Sequence, residues 1–228
     1  MEPSATPART LLRERVHGQL LKAILDGTFQ PGARLRDSDL TAWLGTSRAP
    51  IREALAQLTE VGVIEMAPNR YTRVATITPR VYAESAAVWA TLMTRALHWG
   101  ILAFPADEVP RLAALCDELR TSDPALFPPG PTPIDRFLGA IARHCSNAVL
   151  LENIAVHEPL LQLGINRFKT HLQVKAIAGY FDTIVARCVD HDVDGFEAGM
   201  REFLNGPTRA FTETMTGMSL AEYLDDVS

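Results

Sequence analysis

Two arginines one helical turn apart, Arg48 and Arg52, open an amphipathic segment, and their chemistry suits nucleic acid. A guanidinium at the N-terminal end of a short helix can bridge O6 and N7 of a guanine in the major groove. On this reading Arg48 takes a guanine edge, Arg52 takes a base or a neighbouring phosphate, and Ala49 meets a thymine methyl. The elements that must position them are legible in residues 40–58. Leu40, Leu44, Ile51, Leu55 and Leu58 form an apolar stripe interrupted by Gly45, the pattern of two short helices joined by a tight turn. Ser47 can cap the second helix, and Pro50 falls in its first turn, where a missing N–H costs little.

Charge is distributed to match. The 228-residue chain carries a net charge of −5, unpromising for a DNA binder, but the halves differ in sign. Residues 1–78 hold 10 Lys/Arg against 8 Asp/Glu, and residues 79–228 hold 12 against 19. The excess of basic charge is therefore local to the part that carries Arg48. Hydrophobic residues make up 47%, ordinary for a globular protein of one or two domains. Cys116, Cys145 and Cys188 lie far apart without C-x-x-C spacing and read as buried thiols of a reducing cytoplasm. Residues 1–15 lack the apolar run of a signal peptide. The most membrane-like segment, residues 86–104, is broken by Arg95 and His98, so no membrane role is expected and the localisation is read as cytoplasmic.

Along the chain, residues 1–8 contain Pro3 and Pro7 and are expected to be disordered. A helix follows from Thr10 to about Asp26, with Leu12, Val16, Leu20 and Ile24 on one face and Gly27 as its stop. Beyond the basic helix, residues 63–66 and 71–74 alternate like two strands around a Pro68-Asn69-Arg70 turn, the wing of a winged helix-turn-helix. Thr78-Pro79 starts a helix, and everything after it reads as helical: 79–103, 106–121, 134–147, 149–170, 173–190 and 193–216. Five prolines between residues 124 and 133 make a stiff linker. Ser219 to Glu222 fits either a short capped helix or a frayed acidic tail. The fold class is mainly α, with a winged helix-turn-helix at 9–77, an all-helical antiparallel bundle at 78–218 and a tail at 219–228.

Three motifs in order carry a resemblance. Ser47-Arg48-Ala49-Pro50-Ile51-Arg52-Glu53-Ala54-Leu55 resembles the recognition helix of the GntR family of bacterial transcription regulators. Residues 24–35, with Gly27 and Pro31-Gly32-Ala33-Arg34-Leu35, resemble that family's lead-in, and Leu58 to Arg70 resembles its third-helix end and wing. The resemblance implies a homodimer on an inverted-repeat operator in double-stranded DNA, with Arg34, Arg36, Arg70 and Arg73 gripping phosphates and Asn69 at the wing tip. The family wing has a glycine after its arginine, where this chain has Tyr71. Tyr71 either packs on the strand beneath a tilted wing or itself touches sugar or phosphate.

The helical domain resembles the FadR-like branch, in Phe137 to Asn147 and in Asp192 to Leu204. Many members hold a divalent metal there, through an Asp and three His, and a small carboxylate through the metal. Carried across residue by residue, those positions fall on Ile134, Leu138, Phe181 and Phe203. Hydrocarbon offers no donor, so neither metal nor other cofactor is expected. The six histidines show no i, i+3 or i+4 spacing that would rebuild a site. Burying four such side chains is worth on the order of 6–12 kcal/mol. Either they fill the former cavity, leaving a dimerisation module, or they line a pocket for an apolar, acyl or aromatic-acid effector. Arg95, basic within an apolar helix, is the candidate partner for an acidic head group, with Asn147 at the pocket's edge. An enzyme is disfavoured, because no Ser/His/Asp or Cys/His pairing, no paired carboxylates in an apolar setting and no Gly-rich phosphate loop is found in the sequence. A protein-interaction module built on the winged helix is the remaining alternative to a repressor-like DNA-binding regulator.

Overall fold

A computed structural model describes residues 7–203, apart from 69 and 129, together with Glu213. The chain divides at Ile77/Thr78 into two compact units.

In the first unit, helix α1 (Pro7–Leu25) buries Val16, Leu20, Ala23 and Ile24 and packs on α3. It begins ahead of the Thr10 expected from the sequence, and its end is fixed locally: the Asp26 carboxylate accepts from the Thr28 N–H at 3.0 Å and hydroxyl at 2.7 Å. Helices α2 (Asp37–Leu44) and α3 (Arg48–Glu60) meet through buried Leu40, Ile51, Leu55 and Leu58. Gly45 makes the turn between them in the left-handed region, φ 62°, with its N–H on the Thr41 carbonyl, a conformation a side chain at that position would resist. Ser47 sits at the N-cap of α3 with extended backbone, but its side chain makes no capping bond, contrary to the sequence expectation.

Strands β1 (Ile64–Ala67) and β2 (Tyr71–Val74) pair antiparallel, Ile64 opposite Val74 and Ala67 opposite Tyr71. The pairing extends further than the sequence indicated. Residues 33–35 lie along the other edge of β2, through Leu35 N–H to Thr72 O at 2.8 Å and Val74 N–H to Ala33 O at 3.0 Å. The Pro31-Gly32 turn thus returns the chain as a third strand-like piece, which brings Arg34 beside Arg73.

The second unit is helical among its described residues. Thr78 caps α4 (Pro79–Leu102) by accepting from Val81 N–H at 3.2 Å, with Pro79 at the first position. A single 3-10 turn precedes α5 (Val109–Thr121); α6 (Pro133–Ala142), α7 (Ala148–Phe168), α8 (Val174–Asp190) and α9 (Val193–Phe203) follow. The helix expected at 134–147 is shorter, because Asn147 instead caps α7 through its side-chain oxygen on Leu150 N–H. The remainder of the helix expected at 193–216 beyond Phe203, and the Ser219–Glu222 pattern, lie outside the described residues apart from Glu213. The proline-rich stretch is no bare linker: Phe127 is buried, its carbonyl accepts from Lys169 Nζ at 2.6 Å, and Thr132 with Asp135 forms a full capping box for α6.

α4 packs on α6, α7 and α9, α5 on α6 and α8, and α8 on α9. At one crossing α4 and α6 touch backbone to backbone: a Cβ added at Gly100 would stand 2.4 Å from the Ile141 carbonyl oxygen. Cys116, Cys145 and Cys188 are buried free thiols, and burial pushes Cys116 and Cys188 up to about 12, which keeps them protonated and unreactive. No helix among the described residues is long and apolar enough to cross a membrane.

Candidate nucleic-acid interface and helical-unit cavity

The face around the start of α3 is built by the turn at Gly45. Burial of Ile51, Ala54, Leu55 and Leu58 turns the opposite side of α3 outward, and there Ser47, Arg48, Ala49 and Arg52 are exposed, with Pro50 half-buried. Arg48 makes no ion pair among the described residues. Arg52 differs: its Nε donates to Asp37 Oδ2 at 3.1 Å, tying α3 back to α2. With the Arg52 side chain 75% exposed, this pair holds orientation more than it stabilises.

The wing sorts its arginines in the same way. Arg34, Arg36 and Arg70 are exposed and make no ion pair among the described residues. Arg73 is engaged: its Nε donates to Glu65 Oε2 at 2.8 Å across the β1–β2 pair, and its guanidinium lies 4.6 Å from the centre of the Tyr71 ring. Glu65 Oε1 also accepts from Thr76 N–H, and the Arg73 hydrogen bond holds the Glu65 carboxyl below the usual range. Tyr71 is half-buried with Arg73 over its face, an arrangement that packs it on the strand. Asn69 lies outside the described residues.

In the helical unit, Ile134 and Leu138 on α6, Phe181 on α8 and Phe203 on α9 line one cavity of about 350 Å³. The positions where the resemblance places metal ligands therefore converge, but on hydrocarbon. Two stacked pairs cover this region, Phe137 on Phe181 with ring centres 4.0 Å apart and Tyr180 on Phe203 at 4.3 Å. These four positions and the stacked rings offer no lone pair to a cation such as Zn or Ni, so the residues at the transferred ligand positions do not fit the metal. Among the described residues no three His, Cys, Asp or Glu come together elsewhere. The histidines meet scattered partners instead: His98 meets Glu197 at 2.9 Å, His144 both Glu108 and Arg143 at 3.3 Å, and His191 the Ile101 carbonyl, to which its Nδ1–H donates at 2.8 Å.

Two pocket expectations need correction. Arg95 is exposed and off the cavity wall, its guanidinium 5.9 Å from the Trp99 ring centre. Met93, Ala96, Leu97 and Gly100 define the buried face of α4, and Arg95 lies about 200° around the helix from Met93. Asn147 is likewise spent on capping α7 and does not line the cavity. The polar groups that do line it, Asp135, Glu158, Gln162 and Gln173, were not singled out by the sequence reading. Only Asp135 left a signal, the Thr-x-x-Asp spacing from Thr132.

Residues 12–74 match the family model described as bacterial regulatory proteins, gntR family. The uncharacterized HTH-type transcriptional regulator YdhC of Bacillus subtilis is 43% identical over 49 residues, 22% of either chain. A probable D-xylose utilization operon transcriptional repressor of Paenarthrobacter nicotinovorans is 30% identical over 84 residues, 37% of either chain. An HTH-type regulator of Streptomyces ambofaciens is 32% identical over 116 residues, 50% of this chain and 45% of its own. The chain thus spans less than half the length of these curated relatives. Across nearly the whole chain the fold resembles that of a putative GntR transcriptional regulator from Rhodococcus sp. RHA1, with TM-score 0.69, 22% identity and coverage of 90% and 97%. McbR/YncC of E. coli gives TM-score 0.63, 20% identity and coverage of 89% and 98%. Motif order, the α2–Gly45–α3 geometry and the family match agree: residues 12–74 form a helix-turn-helix similar to the gntR family of bacterial regulatory proteins, on a chain whose mainly helical fold resembles that of solved GntR-type regulators.

Proposed function

We propose that the protein is a sequence-specific transcription regulator of the FadR-like branch. It acts as a homodimer on an inverted-repeat operator, and a small apolar molecule in its helical unit controls it. The observation that carries the DNA reading is Arg48, exposed and without an ion pair among the described residues, at the N-terminal end of a helix whose other face is locked into the core. Arg48 reads a guanine; Arg34, Arg36 and Arg70 hold phosphates and set register. Arg52 and Arg73, already bound to carboxylates, orient the recognition helix and the wing. Two copies related by a two-fold axis place two such helices in successive major grooves about 34 Å apart. Val81 and Val88, exposed two turns apart on α4, support a paired surface in the helical unit.

The cavity supports the ligand over a filled-in dimerisation core. Its volume lies within the range of about 300–1,000 Å³ that small-molecule sites occupy. Selection of full-length protein against a randomised duplex pool at low salt tests the DNA reading. It should return a two-fold symmetric consensus. Failure to enrich any sequence would overturn it and leave an interaction module as the better account.

A further inference from the structure

We propose that the cavity of the helical unit takes a small organic cation with an apolar body, its charge met by the Asp135 and Glu158 carboxylates and by aromatic rings. This rests on the reading of the cavity as a ligand site and adds the sign of the ligand's charge.

Every charged side chain on the wall among the described residues is acidic: Asp135 from α6 and Glu158 from α7 line it, and no Lys, Arg or His does. Both acids have capacity to spare. Asp135 uses Oδ2 for the Thr132 N–H at 2.7 Å and hydroxyl at 2.8 Å, while its Oδ1 has no hydrogen-bond partner among the described residues. Glu158 has neither an ion pair nor a hydrogen bond among them, and it reaches solvent at the rim. Burial raises both carboxyls above the usual range, and the Asp135 charge raises Glu158 further. Such a site is short of positive charge, and a bound cation supplies it.

The apolar wall points the same way. Tyr82, Trp89, Tyr180, Phe181 and Phe203 present aromatic groups around the same space. Ring faces attract cations, ammonium groups above all, and burial strengthens the effect. Trp89 also keeps its Nε1–H buried without an acceptor among the described residues, leaving room for one neutral acceptor on the ligand's body. An acid head group would instead face two carboxylates with no compensating base.

Three ligands on one skeleton separate the outcomes: 4-phenylbutylammonium, 4-phenylbutanol and 4-phenylbutyrate, titrated into the full chain by calorimetry at neutral pH. The ammonium should bind roughly tenfold or more tighter than the carboxylate, with the alcohol between them. Glu158→Gln, at the exposed rim where folding is least at risk, should bring the ammonium close to the alcohol. Asp135 is left intact because it caps α6. Equal or tighter binding of the carboxylate would overturn the charge assignment and leave the cavity a ligand site. An ammonium preference undiminished in Glu158→Gln would overturn the role given to that residue. Binding by none of the three would overturn the cavity as a site for such ligands, and the proposal with it.

Discussion

At the scale of single residues, the arginines of the first unit divide by partner. Arg34 and Arg70 are exposed and make no ion pair among the described residues, so each replaced by Ala should weaken all DNA sequences alike. Each loss should also reduce the slope of log affinity against log salt by about 0.9 per contact, measurable by fluorescence anisotropy across a salt series. A change confined to one sequence would show that the residue reads bases. Arg73 behaves differently because Glu65 holds it. The Glu65 carboxyl is held below its ordinary value, so the folded state binds its proton less readily than the unfolded chain. Its stabilisation is therefore complete above about pH 4.3, the unperturbed Glu value, and is lost as pH falls through the lower folded value. The gap in unfolding midpoint between wild type and Glu65→Gln should accordingly be widest at neutral pH and close on acidification. A gap that stayed constant would show that the Arg73 pair does not stabilise the wing. The exposure of Arg48 could be read from the leucine stripe. The engagement of Arg52 and Arg73 could not, since their partners are set by which helices and strands lie side by side.

At the scale of elements, local signals read well and tertiary ones poorly. The turn at Gly45, the Thr78-Pro79 start of α4 and the wing strands were all legible, because capping, left-handed turns and alternation are local. The strand-like return of residues 33–35 was missed, since it depends on pairing with a strand nearly 40 residues away. Arg95 was misplaced for a related reason: a helix rich in apolar residues suggests burial on every side, and only packing against α6, α7 and α9 shows which face is spared. The four positions to which the resemblance points do line one cavity, but that they enclose space was not in the sequence. Where α4 meets α6, Gly100→Ala forces the Ile141 backbone away and should cost about 1–3 kcal/mol. Gly139→Ala on α6, exposed with nothing within 4 Å of the added Cβ, should leave stability unchanged or raise it by up to about 1 kcal/mol. Chemical denaturation of both variants checks the pair, and equal midpoints would contradict the close crossing.

At the scale of the whole molecule, two kinds of surface serve two tasks. The first unit carries the chain's excess of basic charge and exposes it at the start of α3 and on the wing, although the total charge is −5. The second is acidic overall, and so is the charge on its cavity wall among the described residues, which is the ground for proposing a cation there where Arg95 had suggested an acid. Family resemblance pointed to four positions that line the cavity, and their hydrocarbon side chains offer a metal no donor. The account rests most heavily on Arg48 as the base-reading side chain. The direct measurement is the affinity of Arg48→Ala, by anisotropy, for the selected operator and for a scrambled duplex at the same salt. A loss of about 1–3 kcal/mol on the operator, with tolerance gained at one base pair of each half-site and little change on the scrambled duplex, is the expected result. Equal affinity and selectivity in wild type and variant would contradict it.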